Sequence, residues 1–203
     1  MTTRFSLMIP MKPWHLAKSR LDGAAGIAPD LARAFALDAI AAASECALVE
    51  GVYVITAQPD FAVPRVVVLP DEGSGDLNAA IRAAEKRVRR EQPGIALATM
   101  CADLPSLRAH DLESALRLAG EGPDRRYVSD AAGTGTTLLV ARHGALDPHF
   151  GPDSSRLHSE SGAVDIEDEV TTLRRDVDTV EDLADAQALG IGRHTAAVLS
   201  NRD

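Results

Sequence analysis

The chain has few aromatic residues, few cysteines and no long hydrophobic run, and each shortage excludes a class of protein. Aromatic residues make up only 3% of the 203 residues, which argues against a nucleic-acid binder that stacks bases on aromatic rings. The two cysteines, Cys46 and Cys101, lie in apolar sequence and indicate neither a disulfide framework nor a zinc site. No apolar run is long enough to cross a membrane, and the polar start does not resemble a secretory signal. We therefore expect a cytoplasmic protein without a membrane partner.

Two glycine-rich phosphate loops are also missing. No Gly-x-x-x-x-Gly-Lys-Ser/Thr motif is present, which argues against a P-loop NTPase. The first predicted strand is not followed by Gly-x-Gly-x-x-Gly, which argues against a dinucleotide-binding Rossmann protein. The net charge of −9 repels a nucleic-acid backbone, so a nucleic-acid partner is not expected. A phosphate ligand would have to be held by local cations or by a metal ion.

What is present is typical of one α/β domain. Hydrophobic residues make up 45% of the chain, mostly Ala, Val, Leu and Ile, and the length suits a single domain spanning residues 1–203 with a peripheral tail at 192–203. Apolar runs predict strands at 5–11, 51–56, 65–69, 94–101, 126–129 and 136–141. Helical patterns at 29–45, 79–91, 108–119 and 180–189 separate most of them. This alternation predicts a mixed, mostly parallel sheet flanked by helices.

The stretch from Cys101 to Pro105 follows the predicted central strand. That strand is a short apolar run of the kind that is buried on both faces of a parallel sheet. Asp103 stands just beyond it, where ligands bind in open parallel sheets. Asp103 is therefore a candidate to reach a bound ion. The alternative is a polar residue that merely ends a strand or caps the next helix.

Three cations follow the first predicted strand: Lys12, Lys18 and Arg20. Such a cluster on a strand-to-helix loop can clamp a triphosphate. The alternative is an ordinary solvated basic loop.

Three later loops offer polar groups at predicted strand or helix ends. Asn78 either caps a helix beside Asp76 or hydrogen-bonds a nucleoside. The loop that ends at Thr136 offers hydroxyls and backbone amides to an anion, or is a simple hairpin turn. The stretch from Gly151 to Ser154 opens a helix whose first amides can face an anion, or merely caps it. On that short helix, His158 is interpreted as a surface residue.

A second acidic pair lies near the C-terminal end. Asp176 and Asp178 flank Val177, and residues two apart in an extended segment point to the same face. Both carboxylates can therefore meet one ion while Val177 points into the core. Thr179 can cap the next helix with Asp182 three residues later. Oxygen ligands of this kind are those that Mg²⁺ takes, commonly together with phosphates.

Taken in order, these motifs resemble one known family, the CofC/FbiD guanylyltransferases of coenzyme F-420 biosynthesis. The residues that carry the resemblance cover almost the whole chain: Ile9-Pro-Met-Lys-Pro13, Ala17-Lys-Ser-Arg-Leu21, Leu77-Asn78, Ala102-Asp-Leu-Pro105, Gly135-Thr136, Phe150-Gly-Pro-Asp-Ser-Ser155 with His158, and Asp176-Val-Asp-Thr179. The resemblance implies the glycosyltransferase-A-like nucleotidyltransferase fold. It also implies GTP and a small phosphorylated carboxylic acid as substrates, with Mg²⁺ as cofactor.

The resemblance assigns roles to these residues. Asp103, Asp176 and Asp178 would be metal ligands; Lys12, Lys18 and Arg20 would hold the triphosphate; Thr136, Gly151 and Ser154 would bind the acceptor; and Asn78 would lie near the nucleoside. It implies transfer of GMP to phosphoenolpyruvate, with 2-phospho-L-lactate or phosphoglycerate as alternative acceptors. Functional coupling to the next pathway enzyme is a further expectation. A non-catalytic nucleotide-binding module is the alternative of another class.

Overall fold

The computed structural model describes residues 2–13, 27–58 and 60–201. It contains seven strands, β1 (Phe5–Met11), β2 (Val49–Thr56), β3 (Val66–Pro70), β4 (Ala96–Met100), β5 (Arg125–Ser129), β6 (Thr136–Ala141) and β7 (Val164–Asp165). The described helices are α1 (Ala28–Glu45), α2 (Leu77–Glu91), α3 (Ala109–Ala119), α4 (Ser154–Glu160), α5 (Thr171–Arg174), α6 (Val180–Leu189) and α7 (Arg193–Ser200). Within these ranges no helix has the length and apolar character needed to cross a bilayer.

The strands form one sheet in the order β3-β2-β1-β4-β6-β5-β7. All neighbouring strands are parallel except at β6, which runs antiparallel to both β4 and β5. The predicted mixed, mostly parallel sheet is confirmed. From β1 the chain builds outward to β2 and β3, and it then crosses back to β4 on the other side of β1. The strand order therefore reverses between β1 and β4, and the carboxyl ends of these strands form the crevice where such sheets bind ligands.

The central strand β1 is buried on both faces, which explains why its sequence is apolar except for Ser6, whose hydroxyl donates to the Gln92 side chain at 2.8 Å. Leu7 and Ile9 pack into a cluster with residues of α1 and α3, whereas Met8 packs into a second cluster with residues of α2. Because successive side chains of a strand point to opposite faces, one strand supplies both layers of the core. The sheet thus has helices on both sides, and its carboxyl edge is left for loops.

The described part of the predicted tail at 192–203 forms a surface helix that is joined to α1. Residues 193–200 form α7, and the buried carboxylate of Asp38 on α1 accepts hydrogen bonds from the amides of His194 (3.0 Å) and Thr195 (2.9 Å) and from the Thr195 hydroxyl (2.7 Å). A Cβ atom on Gly192 would lie only 2.3 Å from the Asp38 carboxyl carbon. Sequence analysis missed this contact because Asp38 and Thr195 are distant in sequence.

Candidate functional site

The loop after β4 begins at the carboxyl end of that strand, which lies between β1 and β6 in the sheet. The Cys101 amide donates to the Thr137 carbonyl of β6 at 2.9 Å, which extends the ladder one residue beyond β4. The chain then turns, and the Asp103 carbonyl accepts a hydrogen bond of 3.0 Å from the Val177 amide. This backbone contact places Asp103 beside the segment that carries Asp176 and Asp178. Asp103 and the distant pair Asp176 and Asp178 therefore share one edge of the sheet.

The segment around Val177 has the predicted alternation. Val177 is fully buried against Leu31 and Phe35 of α1, Asp176 is half-buried and Asp178 is exposed. The core therefore fixes the position of the two flanking residues through the side chain between them.

A capping box at the start of α6 fixes the far end of this segment. The Thr179 hydroxyl accepts from the Asp182 amide at 3.2 Å, and the Asp182 carboxylate accepts from the amides of Thr179 (2.9 Å) and Asp178 (3.1 Å). Burial acts to raise the pKa of Asp182, but the hydrogen bonds from Thr179 and Asp178 outweigh it and leave the pKa below its ordinary value. The predicted cap is confirmed, and it orders the backbone of a proposed metal ligand.

In the described ranges, no three His, Cys, Asp or Glu side chains are grouped closely enough to hold a metal ion by themselves. Mg²⁺ commonly uses only one or two protein carboxylates and completes its shell with phosphates and water. The donor set of Asp103, Asp176 and Asp178 consists entirely of carboxylate oxygens, which is the chemistry that Mg²⁺ selects. The residues present therefore fit a magnesium site that is completed by substrate, and their role as ligands stays a prediction.

Thr136 lies at this same edge, because β6 is antiparallel and begins where β4 ends. Its side chain is buried, and its hydroxyl is 2.9 Å from Nδ1 of His158 on α4. The other ring nitrogen of His158 accepts from the His149 amide at 2.9 Å. The interpretation of His158 as a surface residue is therefore wrong, since its ring is fully buried. The helical pattern could not show this, because the covering residues come from β6 and from the loop before α4.

The segment between β6 and α4 carries Gly151 and is held by buried or partly buried polar side chains. Glu85 of α2 accepts from the Leu146 amide at 3.1 Å, and the guanidinium of Arg125 donates to the carbonyls of Leu146 (2.9 Å) and Asp147 (3.0 Å). Gly151 has φ +135°, a conformation that side chains rarely adopt. The positions of these backbone groups are thus set by residues from other parts of the chain.

Asn78 is one of these supports. Its side-chain oxygen accepts from the Phe150 amide at 2.8 Å, and its side-chain nitrogen donates to the Phe150 carbonyl at 2.9 Å. Asp76, not Asn78, is the residue that caps α2. Asn78 therefore contacts Phe150, the residue that precedes Gly151 in the chain. Its predicted contact with a nucleoside stays a prediction.

Ser154 begins α4 and is almost completely buried. The next amide, of Ser155, donates to the Thr134 carbonyl at 3.0 Å, which joins α4 to the loop between β5 and β6. In that loop the Asp130 carboxylate accepts from the amides of Thr134 (2.9 Å) and Gly135 (2.8 Å). These contacts bring Thr136, Gly151 and Ser154, the three predicted acceptor residues, into one neighbourhood.

The predicted cations are only partly described. Lys12 directly follows β1, and its side chain is exposed at the carboxyl edge of the sheet. Lys18 and Arg20 lie outside the described residues. The position of Lys12 suits a contact with a ligand in the crevice between β1 and β4, and the three triphosphate contacts stay predictions.

The mixed sheet, whose strand order reverses between β1 and β4, is an α/β fold that solved nucleotidyl transferase structures share. A crystal structure from Desulfovibrio desulfuricans G20, of a protein assigned to the nucleotide-diphospho-sugar transferases, is similar with a TM-score of 0.72 at 16% identity, over 98% of this chain and 95% of that one. A 4-diphosphocytidyl-2C-methyl-D-erythritol synthase is similar with a TM-score of 0.63 at 13% identity, over 93% and 99% of the two chains. These likenesses confirm the fold.

Sequence comparison is more specific. The chain matches the family described as "Guanylyl transferase CofC like" over residues 5–201. It is 44% identical to the phosphoenolpyruvate guanylyltransferase of Streptomyces scabiei, over 96% of this chain and 95% of the relative. It is 41% identical to the enzyme of that name from Salinispora arenicola, over 97% and 94%. The chain therefore belongs to the CofC-like guanylyl transferase family, which confirms the resemblance seen in its motifs.

Replacing Asn78 with alanine distinguishes its two possible roles. Both hydrogen bonds to Phe150 would be lost, so we expect the KM for the acceptor to rise about tenfold, from the loss of about 1–2 kcal/mol of hydrogen bonding. The KM for GTP should stay within about twofold, because the affected loop is the one that carries Gly151. Steady-state kinetics with each substrate varied in turn measures both. The matched control is Asn201→Ala, in the other asparagine of the chain. A rise in the KM for GTP alone would favour the nucleoside contact.

Proposed function

We propose that this protein transfers GMP from GTP to the phosphate of phosphoenolpyruvate, giving enolpyruvyl-diphospho-guanosine and pyrophosphate. The observation that carries the proposal is the meeting of Asp103, the Asp176–Asp178 segment and Thr136 at one edge of the sheet. The names of the relatives support both the reaction and the acceptor.

The reaction requires two anions to approach each other. An oxygen of the acceptor phosphate forms a bond to the α-phosphorus of GTP, and the bond from that phosphorus to the bridging oxygen of pyrophosphate breaks. A phosphomonoester has a second pKa of about 6, so the attacking group is largely dianionic at neutral pH and needs no general base. Charge neutralisation and orientation are therefore the main tasks of the protein.

We assign charge neutralisation to the acidic edge and to the cations. Asp103, Asp176 and Asp178 would hold Mg²⁺, which would supply positive charge to neutralise the phosphates that react. Lys12, Lys18 and Arg20 would contact the phosphates that leave as pyrophosphate and stabilise the charge that grows there. Thr136, Ser154 and the backbone at Gly151 would orient the acceptor by its phosphate and carboxylate.

The proposal is tested by measuring pyrophosphate release in the presence of Mg²⁺. Each of the four nucleoside triphosphates is paired with phosphoenolpyruvate, 2-phospho-L-lactate and phosphoglycerate, and products are identified by mass. We expect turnover with GTP and phosphoenolpyruvate above all other pairs. Preference for another acceptor would contradict the assignment of phosphoenolpyruvate, but transfer of GMP from GTP to a phosphate group would still hold. Nucleotide binding without turnover of any pair would contradict the assignment of enzymatic activity and favour a non-catalytic nucleotide-binding module.

Two further expectations belong to this proposal. The product joins an enol ester to a diphosphate, and the next enzyme of coenzyme F-420 biosynthesis would have to consume it, which is why functional coupling between the two enzymes is expected. A location in the cytoplasm likewise stays a prediction.

A further inference from the structure

The ring of His158 is fully buried, and the polar contacts of its two nitrogens specify its protonation. Nε2 is 2.9 Å from the backbone nitrogen of His149, which can only donate a hydrogen bond. Nε2 must therefore carry a lone pair. In a neutral imidazole the single ring proton then resides on Nδ1.

This tautomer determines the direction of the second hydrogen bond. Nδ1 lies 2.9 Å from the Thr136 hydroxyl oxygen and must donate to it. The hydroxyl oxygen of Thr136 is then an acceptor in this contact, and its own proton is available to donate to another group. An anion at the carboxyl edge of the sheet needs such a donor.

The surroundings of the ring keep it neutral. Burial, and then the nearby His149 and Arg125, lower the pKa of His158 to about 4, whereas Asp147 acts in the opposite direction. The ring of Phe150 meets it edge-on with centroids 5.1 Å apart, and Tyr127 lies at 5.9 Å. A protonated ring would also turn Nε2 into a donor facing the His149 amide.

His158 further connects the three parts that we assign to the acceptor. It contacts Thr136 through Nδ1, it holds the His149 amide two residues before Gly151 through Nε2, and it lies one helical turn after Ser154 on α4. Residues four apart lie on the same face of a helix. One side chain thus sets the distance between the hydroxyl, the loop and the helix.

We propose that His158 is a positioning residue for the acceptor subsite, which as a neutral Nδ1–H imidazole presents the Thr136 hydroxyl as a hydrogen-bond donor to an acidic group of the acceptor. The inference rests on the proposed function for the identity of that acceptor. It does not assign His158 any contact with substrate, and it does not make His158 an acid or a base in the reaction.

The tautomer is tested without substrate. Long-range ¹H–¹⁵N correlation spectra of the ¹⁵N-labelled protein at pH 7 distinguish Nδ1–H, Nε2–H and imidazolium rings, and His158→Gln identifies the signal. We expect the Nδ1–H form. An Nε2–H or charged ring would overturn the inference whether or not the protein turns over phosphoenolpyruvate.

The functional role is tested with graded variants. His158→Asn keeps a donor near the position of Nδ1, His158→Gln keeps an acceptor near the position of Nε2, and His158→Leu removes both. The matched control is His143→Asn, in an exposed histidine. We expect the KM for phosphoenolpyruvate to rise about ten- to hundredfold in His158→Leu, and less in His158→Asn, from the loss of a bond to a charged ligand. The KM for GTP should change by less than about threefold.

A double-mutant cycle shows whether His158 acts through Thr136. In a Thr136→Val background, His158→Asn should raise the KM for phosphoenolpyruvate much less than it does alone. Equal increases in the KM values of both substrates, or full additivity with Thr136→Val, would overturn the inference. Thermal unfolding of every variant identifies those that do not fold, and His158→Asn is retained for the cycle because it is the mildest. If the wild-type protein shows no turnover with any pair, the proposed function fails. In that case the cycle is measured by calorimetry as the Kd for phosphoenolpyruvate. Full additivity of the two substitutions in that Kd would again overturn the inference.

Discussion

Replacing Asp103 with asparagine is expected to lower kcat for pyrophosphate release about a thousandfold, which corresponds to about 4 kcal/mol of transition-state stabilisation. The amide keeps the shape of the carboxylate but removes the negative charge that would help to hold Mg²⁺. The backbone contacts of this loop, from Cys101 to Thr137 and from Val177 to Asp103, do not use the side chain of Asp103. The protein should therefore fold, with a thermal midpoint within a few degrees of the wild type.

The kinetic measurement needs a control for charge alone. Glu121→Gln removes one negative charge from an exposed residue that follows α3 and lies toward the opposite edge of the sheet. Its kcat should equal that of the wild type within about twofold, because charges that far from the site are screened by salt. Asp176→Asn should resemble Asp103→Asn. Near-normal turnover in both aspartate variants would show that the metal assignment is wrong.

Acidification is expected to destabilise the fold through His158. The pKa of His158 in the folded protein, about 4, lies below the value of about 6.5 for an unfolded chain. Between these two values the unfolded state binds the proton and the folded state does not, so stability falls as the pH falls. The contribution of this residue is complete above about pH 6.5, and on the order of 3 kcal/mol is lost by pH 4.

Urea denaturation followed by circular dichroism, repeated between pH 7.5 and 4, measures this loss. Carboxylates also titrate in this range, so the quantity to compare is the difference between the wild type and His158→Gln. That difference should be largest at neutral pH and shrink toward pH 4, because the variant has no ring to protonate. His143→Gln, in an exposed histidine, should follow the wild type at every pH. A difference that does not change with pH would contradict a depressed pKa of His158.

The strands and most helices could be predicted because their signals are local. The runs at 5–11 and 136–141 match β1 and β6, and the pattern at 29–45 matches α1 to within one residue. The elements that sequence analysis missed are β7, α5 and α7, which are short or held by distant partners. In α5, for example, Thr172 is tied to the buried carboxylate of Asp111 on α3 by bonds of 2.8 and 2.6 Å. No periodicity within four residues predicts such an element.

The candidate site divides in the same way. Asp103, Asp176 and Asp178 could be predicted from the sequence to lie at one edge, because each stands where an apolar stretch ends or alternates with a buried residue, and this alternation is a property of the backbone. Their role as metal ligands stays a prediction. The burial of His158 and the support that Asn78 gives to Phe150 were not found. His158 contacts Thr136, which is 22 positions away in the sequence, and Asn78 contacts Phe150, which is 72 positions away.

The sequence by itself therefore determined the class of fold and the family, and it predicted which residues would meet a nucleotide and a metal ion. Only the tertiary structure decided which side chains contact those residues and in which protonation state they do so. The reason is physical. Strand and helix patterns follow from the geometry of neighbouring residues, whereas the donor and acceptor roles around the His158 ring follow from burial and from partners that only folding brings within 3 Å.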